Sequence, residues 1–137
     1  MTAKKRQSNT PEDRIAADAV AIAYQIHTAL GGALLEGAYQ VIFCHMLRKR
    51  GYKVETEVSV PIEFDGLKIG AGFRADIVVD DLVIIELKSV AAIQPVFLKQ
   101  LLTYLRLAKK RLGLLINFGA ASMKDQIKRV VNGLPDD

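Results

Sequence analysis

Four ionisable side chains, Arg74, Asp76, Glu86 and Lys88, stand inside a stretch otherwise built for burial, FRADIVVDDLVIIELKS at residues 73 to 89. A lone charge in an apolar interior is costly unless it is paired, hydrogen-bonded or bound to a metal. Residues two apart on a strand share a face, so Glu86 and Lys88 project together, with Asp76 on the neighbouring strand. A carboxylate pair beside an ammonium is what metal-dependent phosphodiester hydrolysis needs. Carboxylate oxygens hold a hard cation such as Mg²⁺ or Mn²⁺. The cation polarises the phosphoryl group and makes a bound water more acidic. The lysine orients that water or stabilises charge developing on the phosphate. Arg74 reads as a partner for a carboxylate.

This chemistry sets a condition on the turn between the two strands. If Asp80-Asp81 were a two-residue hairpin turn, Val79 would pair with Leu82 and Asp76 with Ile85. Directly paired residues share a face and faces alternate along each strand. Asp76 would then point away from Glu86 and Lys88. A shared cation requires a change of parity. The simplest is a three-residue loop, Val79-Asp80-Asp81, with Val78 opposite Leu82; a bulge on either strand would serve equally.

The elements around this hairpin are set by pattern. Residues 1–9 are polar and read as a flexible tail, followed by a single domain over 10–137. Thr10 resembles an N-cap, with Pro11 at the first helical position and Asp13 three residues past the cap. Ile15, Ala19, Ile22, Ile26 and Ala29 recur at helical spacing up to Gly31-Gly32. A second helix is expected from about Ala33 to Arg50, with Gly51 as its stop. Residues 53–64 alternate as a half-buried strand, Asp65-Gly66 is a hairpin turn, and strands come next at 67–79 and 82–89. Gly70 and Gly72 mark a bulge or a close approach of backbones. Pro95 opens a helix to about Lys110, LGLLINF at 112–118 is an apolar strand buried on both faces, and a last helix is expected over 121–132. The order predicts an α/β (α+β) fold, a mixed central sheet flanked by helices.

Composition narrows the class. With 137 residues, 50% hydrophobic and 25% charged, the chain suits one globular domain. No apolar run approaches the ~20 residues that span a bilayer, and the N-terminus lacks the apolar core of a secretory signal. The one cysteine, Cys44, lies in an apolar helical run and reads as packing in a reducing, cytoplasmic setting. Cys44 and His45 lack companions at zinc-ligand spacing. The formal net charge of +4 permits nucleic-acid binding. Two of the basic clusters, Arg48-Lys49-Arg50 and Lys109-Lys110-Arg111, fall at helix C-termini, where cations complement the dipole. Lys4-Lys5-Arg6 and Lys124 with Lys128-Arg129 complete the excess, which leaves a phosphate-binding face open.

An Asp followed by Glu-x-Lys on the next strand, in a helix, three strands, helix, strand order, resembles the PD-(D/E)xK nuclease superfamily with its restriction-endonuclease-like core. More narrowly, the chain is similar to the bacterial GxxExxY proteins from about Ile22 to Val131. IHTALGGALLEGAY resembles that family's N-terminal signature, with His27, Gly31, Leu34, Leu35, Glu36 and Tyr39 in place, and GFRAD, IIELKSV, QLLTYL and LGLLINFG resemble further blocks. Ala33 stands where the family name requires glycine, and Gly31-Gly32 lie just before it. The resemblance implies Asp76 and Glu86 as central metal ligands, the Leu87 carbonyl as a third and Glu36 as an additional one. It implies Lys88 as the catalytic lysine. Gln100 and Tyr104 match a Gln-x-x-x-Tyr motif of one branch of the superfamily, and their spacing puts them on one helical face, where they could hold the lysine, the water or a phosphate.

Each of these features alone also suits a solvated or packed position, and His27 suits packing or capping as well as the site. Together they predict a Mg²⁺- or Mn²⁺-dependent nuclease acting on DNA in preference to RNA, without a membrane partner. The alternative is a nuclease fold without turnover, a nucleic-acid-binding or self-assembling module, which leaves a homo-oligomer open.

Overall fold

The computed structural model describes residues 10–135; the tail expected over 1–9 lies outside the described residues. Three helices and five strands run in the order α1 (Pro11–Leu30), α2 (Glu36–Lys49), β1 (Val54–Phe64), β2 (Leu67–Val79), β3 (Val83–Lys88), α3 (Pro95–Ala108), β4 (Leu112–Asn117) and β5 (Ile127–Val131). The strands form one sheet in the order β1-β2-β3-β4-β5. β3 and β4 are parallel, with α3 as their crossover, and every other neighbouring pair is antiparallel. This is the expected mixed sheet flanked by helices.

Alternation along the central strands divides the interior in two. Val83, Ile85 and Leu87 of β3 and Leu112, Leu114 and Ile116 of β4 pack on one face with Ile15, Ile22, Phe43 and Leu47 of α1 and α2. Ile84 and Leu115 pack on the other face with Leu101 and Leu105 of α3. Glu86 and Lys88, in step with Ile84, therefore belong to the α3 face. Thr10 caps α1 as expected, its Oγ1 accepting from the Asp13 amide at 3.1 Å. The first turn of α1 is then tied to the sheet by two buried carboxylates. Glu12 takes Arg111 in a bidentate pair at 2.7 and 3.0 Å, and Asp13 takes Arg129 at 2.7 Å.

Three expectations need correction. The helix predicted over 121–132 is a turn followed by β5: Met123, Ile127 and Val130 repeat at helical spacing, but the open edge of β4 captures Ile127–Val131 from Leu112–Ile116. Asp125 at φ 61° reverses the chain for that pairing. Helix α2 begins at Glu36 rather than Ala33, because residues 31–35 are held in an extended loop. The Tyr39 hydroxyl donates to the Gly31 carbonyl at 2.6 Å and accepts from the Leu34 amide at 3.1 Å. Finally, Arg74 is exposed and forms no ion pair with a described residue; it lies opposite Ser59 on β1.

Candidate active site

The turn between β2 and β3 has the parity that a shared site requires. Val79 pairs with Val83, Val78 with Ile84 and Ile77 with Ile85, leaving a three-residue loop at 80–82. The loop sits one residue later than Val79-Asp80-Asp81, and the consequence for faces is the one sought. One further step of the register sets Asp76 level with Glu86, so both share the α3 face with Lys88. The loop is fixed from several sides. Asp80 and Asp81 take left-handed backbone at φ 51° and 57°, a region aspartate tolerates. The Asp80 amide donates to the Lys53 carbonyl and its Oδ1 accepts from the Lys53 amide, each at 2.8 Å. Leu82, the residue that makes the loop three long, packs against the main core.

Beyond Ile77 and Ile85 the two strands part, and side chains take over the backbone donors. The Asp76 amide donates to Glu86 Oε1 at 3.4 Å, and the Leu87 amide donates to Asp76 Oδ2 at 3.2 Å. A residue's N–H and C=O point to the same side of an extended strand, so the Leu87 carbonyl also faces the Asp76 side. Glu86 is buried and Asp76 half-buried. Burial pushes the Glu86 carboxyl up to about 9, helped by the hydrogen bond and charge of Asp76, with Lys88 opposing. A buried carboxyl beside a second carboxylate suits a divalent cation, which would neutralise both.

The other predicted residues divide. Lys88 is half-buried, close enough to lower the proton affinity of both Glu86 and Glu36, and its Nζ lies 4.5 Å from the centre of the Phe97 ring. Tyr104 stacks on Phe73 with ring centres 3.9 Å apart. Burial raises its hydroxyl's pKa first, and the charges of Glu86 and Asp76 add to the effect. Glu36, the first residue of α2, is exposed; partial desolvation raises its pKa, with Asp76 and Glu57 adding and Lys88 opposing. It faces the same field but does not close on the pair: among the described residues no three His, Cys, Asp or Glu side chains gather tightly enough to hold one ion. The oxygens that could hold a cation on this face are those of Asp76, Glu86 and a backbone carbonyl, with water completing a hard, oxygen-only shell. Gln100 is exposed, and its side chain makes no hydrogen bond to a described residue.

His27 lies apart from the carboxylates. Its Nε2 donates to the Ala120 carbonyl at 2.9 Å, and a Cβ on the adjacent Gly32 would come within 2.6 Å of the Phe118 carbonyl oxygen. With Tyr39 stacked on Phe118 at 4.4 Å, these contacts press the 31–35 loop against the end of β4. Ser89, just past Lys88, reaches the same loop by donating to the Leu34 carbonyl at 3.0 Å. His27, Tyr39 and Ser89 thus hold the loop that precedes Glu36. Cavities of about 790 and 670 Å³ flank α1, and neither is lined by Asp76, Glu86 or Lys88.

Two residues escaped the sequence reading. Glu57 of β1 has a left-handed backbone at φ 52° in mid-strand. Gln40 of α2 donates to Glu57 Oε1 and to the Asp76 carbonyl, each at 3.3 Å. The i, i+4 spacing of Gln40 from Glu36 was the available signal; Glu57 looked like any outward charge of an alternating strand.

The sequence model of the PD-(D/E)XK nuclease superfamily matches residues 13–130. Among the curated proteins and solved structures compared, none matches the chain. The match spans nearly all of the described fold, including the parted strands that bring an aspartate and a Glu-x-Lys to one face, and the chain belongs to the PD-(D/E)XK nuclease superfamily.

Proposed function

We propose that this chain is a divalent-metal-dependent nuclease that hydrolyses phosphodiester bonds, in DNA in preference to RNA, and that it is of the GxxExxY kind. The observation that carries the reading is the β2–β3 register, which sets Asp76 level with Glu86 and puts Lys88 on their face. Asp76, Glu86 and the Leu87 carbonyl would hold Mg²⁺ or Mn²⁺, with Glu36 an additional acidic group at the mouth; the bound ion supplies Lewis-acid polarisation and an acidified water. Lys88 stands beside the position a phosphate would take, where it would steer the water and offset charge developing on the phosphoryl oxygens. The Phe97 ring under Lys88 and the Phe73–Tyr104 stack keep this side of the cleft partly dry, which strengthens those interactions. Tyr104 offers a hydroxyl toward the carboxylates, and Gln100, one turn earlier, would meet the substrate backbone. The narrower GxxExxY assignment is supported by the part Tyr39, Gly31 and Leu34 play in shaping the loop before Glu36. A cytoplasmic setting fits the single buried free cysteine, and among the described residues no helix is long and apolar enough to cross a membrane.

The test is incubation with circular DNA, linear DNA and RNA in Mg²⁺, Mn²⁺ or EDTA. Asp76→Asn is expected to abolish cleavage and Mn²⁺ binding, while Lys88→Ala retains Mn²⁺ binding and loses turnover. Equal Mn²⁺ affinity in the wild type and Asp76→Asn would sink the metal assignment.

A second reading, self-assembly, is favoured by the tip of the β1–β2 hairpin. Ile62 pairs with Ile69 and Phe64 with Leu67, which puts all four on one face, opposite Glu63 and Lys68. Phe64, Leu67 and Ile69 are 78%, 65% and 46% exposed. A two-stranded ribbon with a bare apolar face is marginal in water, so a second copy covering it would explain its sequence. Native mass measurement decides: a monomer at all concentrations rules out this reading.

A further inference from the structure

We infer that Gln40 and Glu57 are positioning residues that fix the main chain of Asp76 and so aim its carboxylate at Glu86. The inference rests on the reading of Asp76 as a metal ligand. β1 and β2 pair on either side of this point, Thr56 with Ile77 and Val58 with Ala75, but Glu57 and Asp76, level with each other, do not form a pair in that ladder. Asp76 is instead held by side chains. Its amide donates to Glu86 Oε1 and its carbonyl accepts from Gln40 Nε2. A side-chain amide carries two hydrogens. Gln40 uses one on Asp76 and the other on Glu57, so Glu57 sets the orientation in which Gln40 can reach Asp76.

The backbone of Glu57 supports the assignment. A non-glycine residue at φ 52° in the middle of a strand is strained, and such strain persists only where the surroundings over-determine it. Regular strand geometry would let Glu57 pair with Asp76 and would align its side chain with the alternation of β1. The left-handed turn breaks that pairing and frees the Asp76 carbonyl for α2. The link also crosses three elements: α2, which begins with Glu36, is joined through Gln40 to β1 and to the Asp76 position of β2. Glu36 and Gln40 lie one turn apart on α2, so the same contact holds the helix face that carries Glu36 against the cleft.

Outer-shell partners of metal ligands typically contribute about 10- to 100-fold in metal affinity or activity. The test uses Gln40→Leu, which removes both donors at similar volume, and Glu57→Gln, which keeps an acceptor for Gln40. Mn²⁺ affinity is measured by calorimetry, thermal unfolding checks folding, and hydrogen exchange tracks the Leu87 amide, whose acceptor is Asp76 Oδ2. Gln40→Leu is expected to melt close to the wild type, bind Mn²⁺ about tenfold more weakly and lose protection at Leu87, with kcat falling and KM for DNA unchanged. Glu57→Gln is expected to stay within about threefold of the wild type in each. If Gln40→Leu leaves both the Mn²⁺ affinity and the Leu87 exchange at wild-type values, the inference is overturned. If the wild type binds no Mn²⁺, the metal reading fails by itself, and the Leu87 exchange alone decides whether Gln40 positions Asp76.

Discussion

Replacing Glu86 by glutamine should stabilise the metal-free protein, by an amount that grows with pH. In the folded chain burial and Asp76 hold the Glu86 carboxyl up at about 9, against 4.5 for an ordinary glutamate. Below about pH 4.5 the group is protonated in both the folded and unfolded states and contributes no pH dependence. Between about 4.5 and 9 the folded protein keeps a proton that the unfolded chain releases, so stability falls as pH rises through that window. At about pH 7.5, three pH units above the unfolded value, the ceiling is roughly 4 kcal/mol at about 1.36 kcal/mol per unit. Glutamine removes the titration, and its amide can donate toward Asp76 as the protonated acid would; but its own burial is imperfectly satisfied, so a net gain of about 1–3 kcal/mol is expected. For a chain of this size that is a rise in Tm of roughly 3–10 °C. Thermal unfolding by circular dichroism in EDTA, repeated from about pH 4 to 9, measures it. The gap should be absent at the acid end and widen steadily toward the alkaline end. Mn²⁺ should then stabilise the wild type in proportion to its occupancy and leave Glu86→Gln almost unmoved. Wild-type and variant curves that run parallel between about pH 5 and 9 would refute the argument, because they would mean that Glu86 ionises freely in the fold.

Two further expectations concern the surroundings of the site. Tyr39→Phe deletes the hydroxyl that serves both Gly31 and Leu34 and should cost about 1–3 kcal/mol, read as a fall in denaturation midpoint, with faster amide exchange confined to residues 31–35; an unchanged midpoint and unchanged exchange would remove Tyr39 from that role. Burial pushes the Cys44 thiol up to about 11, so at about pH 8 it should resist a thiol reagent in native buffer and react fully in denaturant, and rapid native labelling would contradict its packed position.

Much of this protein could be read from its residues because the governing interactions are local. Thr10 with Asp13 caps a helix wherever it occurs, Pro95 opens one, and the apolar run at Leu112–Asn117 suits only a strand covered on both faces. Glu86 and Lys88 share a face by the stereochemistry of a strand. The segment after Ala121 was not legible, because Met123, Ile127 and Val130 satisfy a helical period and a strand edge alike; the vacant edge of β4 chose between them, and an edge is a property of the sheet. The start of α2 was decided partly at a distance: beside the local hydrogen bonds of the Tyr39 hydroxyl, Phe118 and Ala120 press on Gly32. The site itself turned on one residue of register. Two aspartates in a row are compatible with a two- or a three-residue loop, and the two choices put Asp76 on opposite faces. Packing of the partly buried Leu82 against the core and the grip of Lys53 on Asp80 settled it, and both are contacts with residues far apart in the chain. The same holds for Glu57 and Gln40: the sequence supplied a charge and an amide of ordinary appearance, and only the packing of α2 against β1 and β2 let the Gln40 amide reach both Glu57 and the Asp76 carbonyl. Residue types and local periods determine which groups are available for chemistry, whereas loop lengths, strand edges and side-chain bridges, which minimise the energy of the whole fold, determine which of them meet.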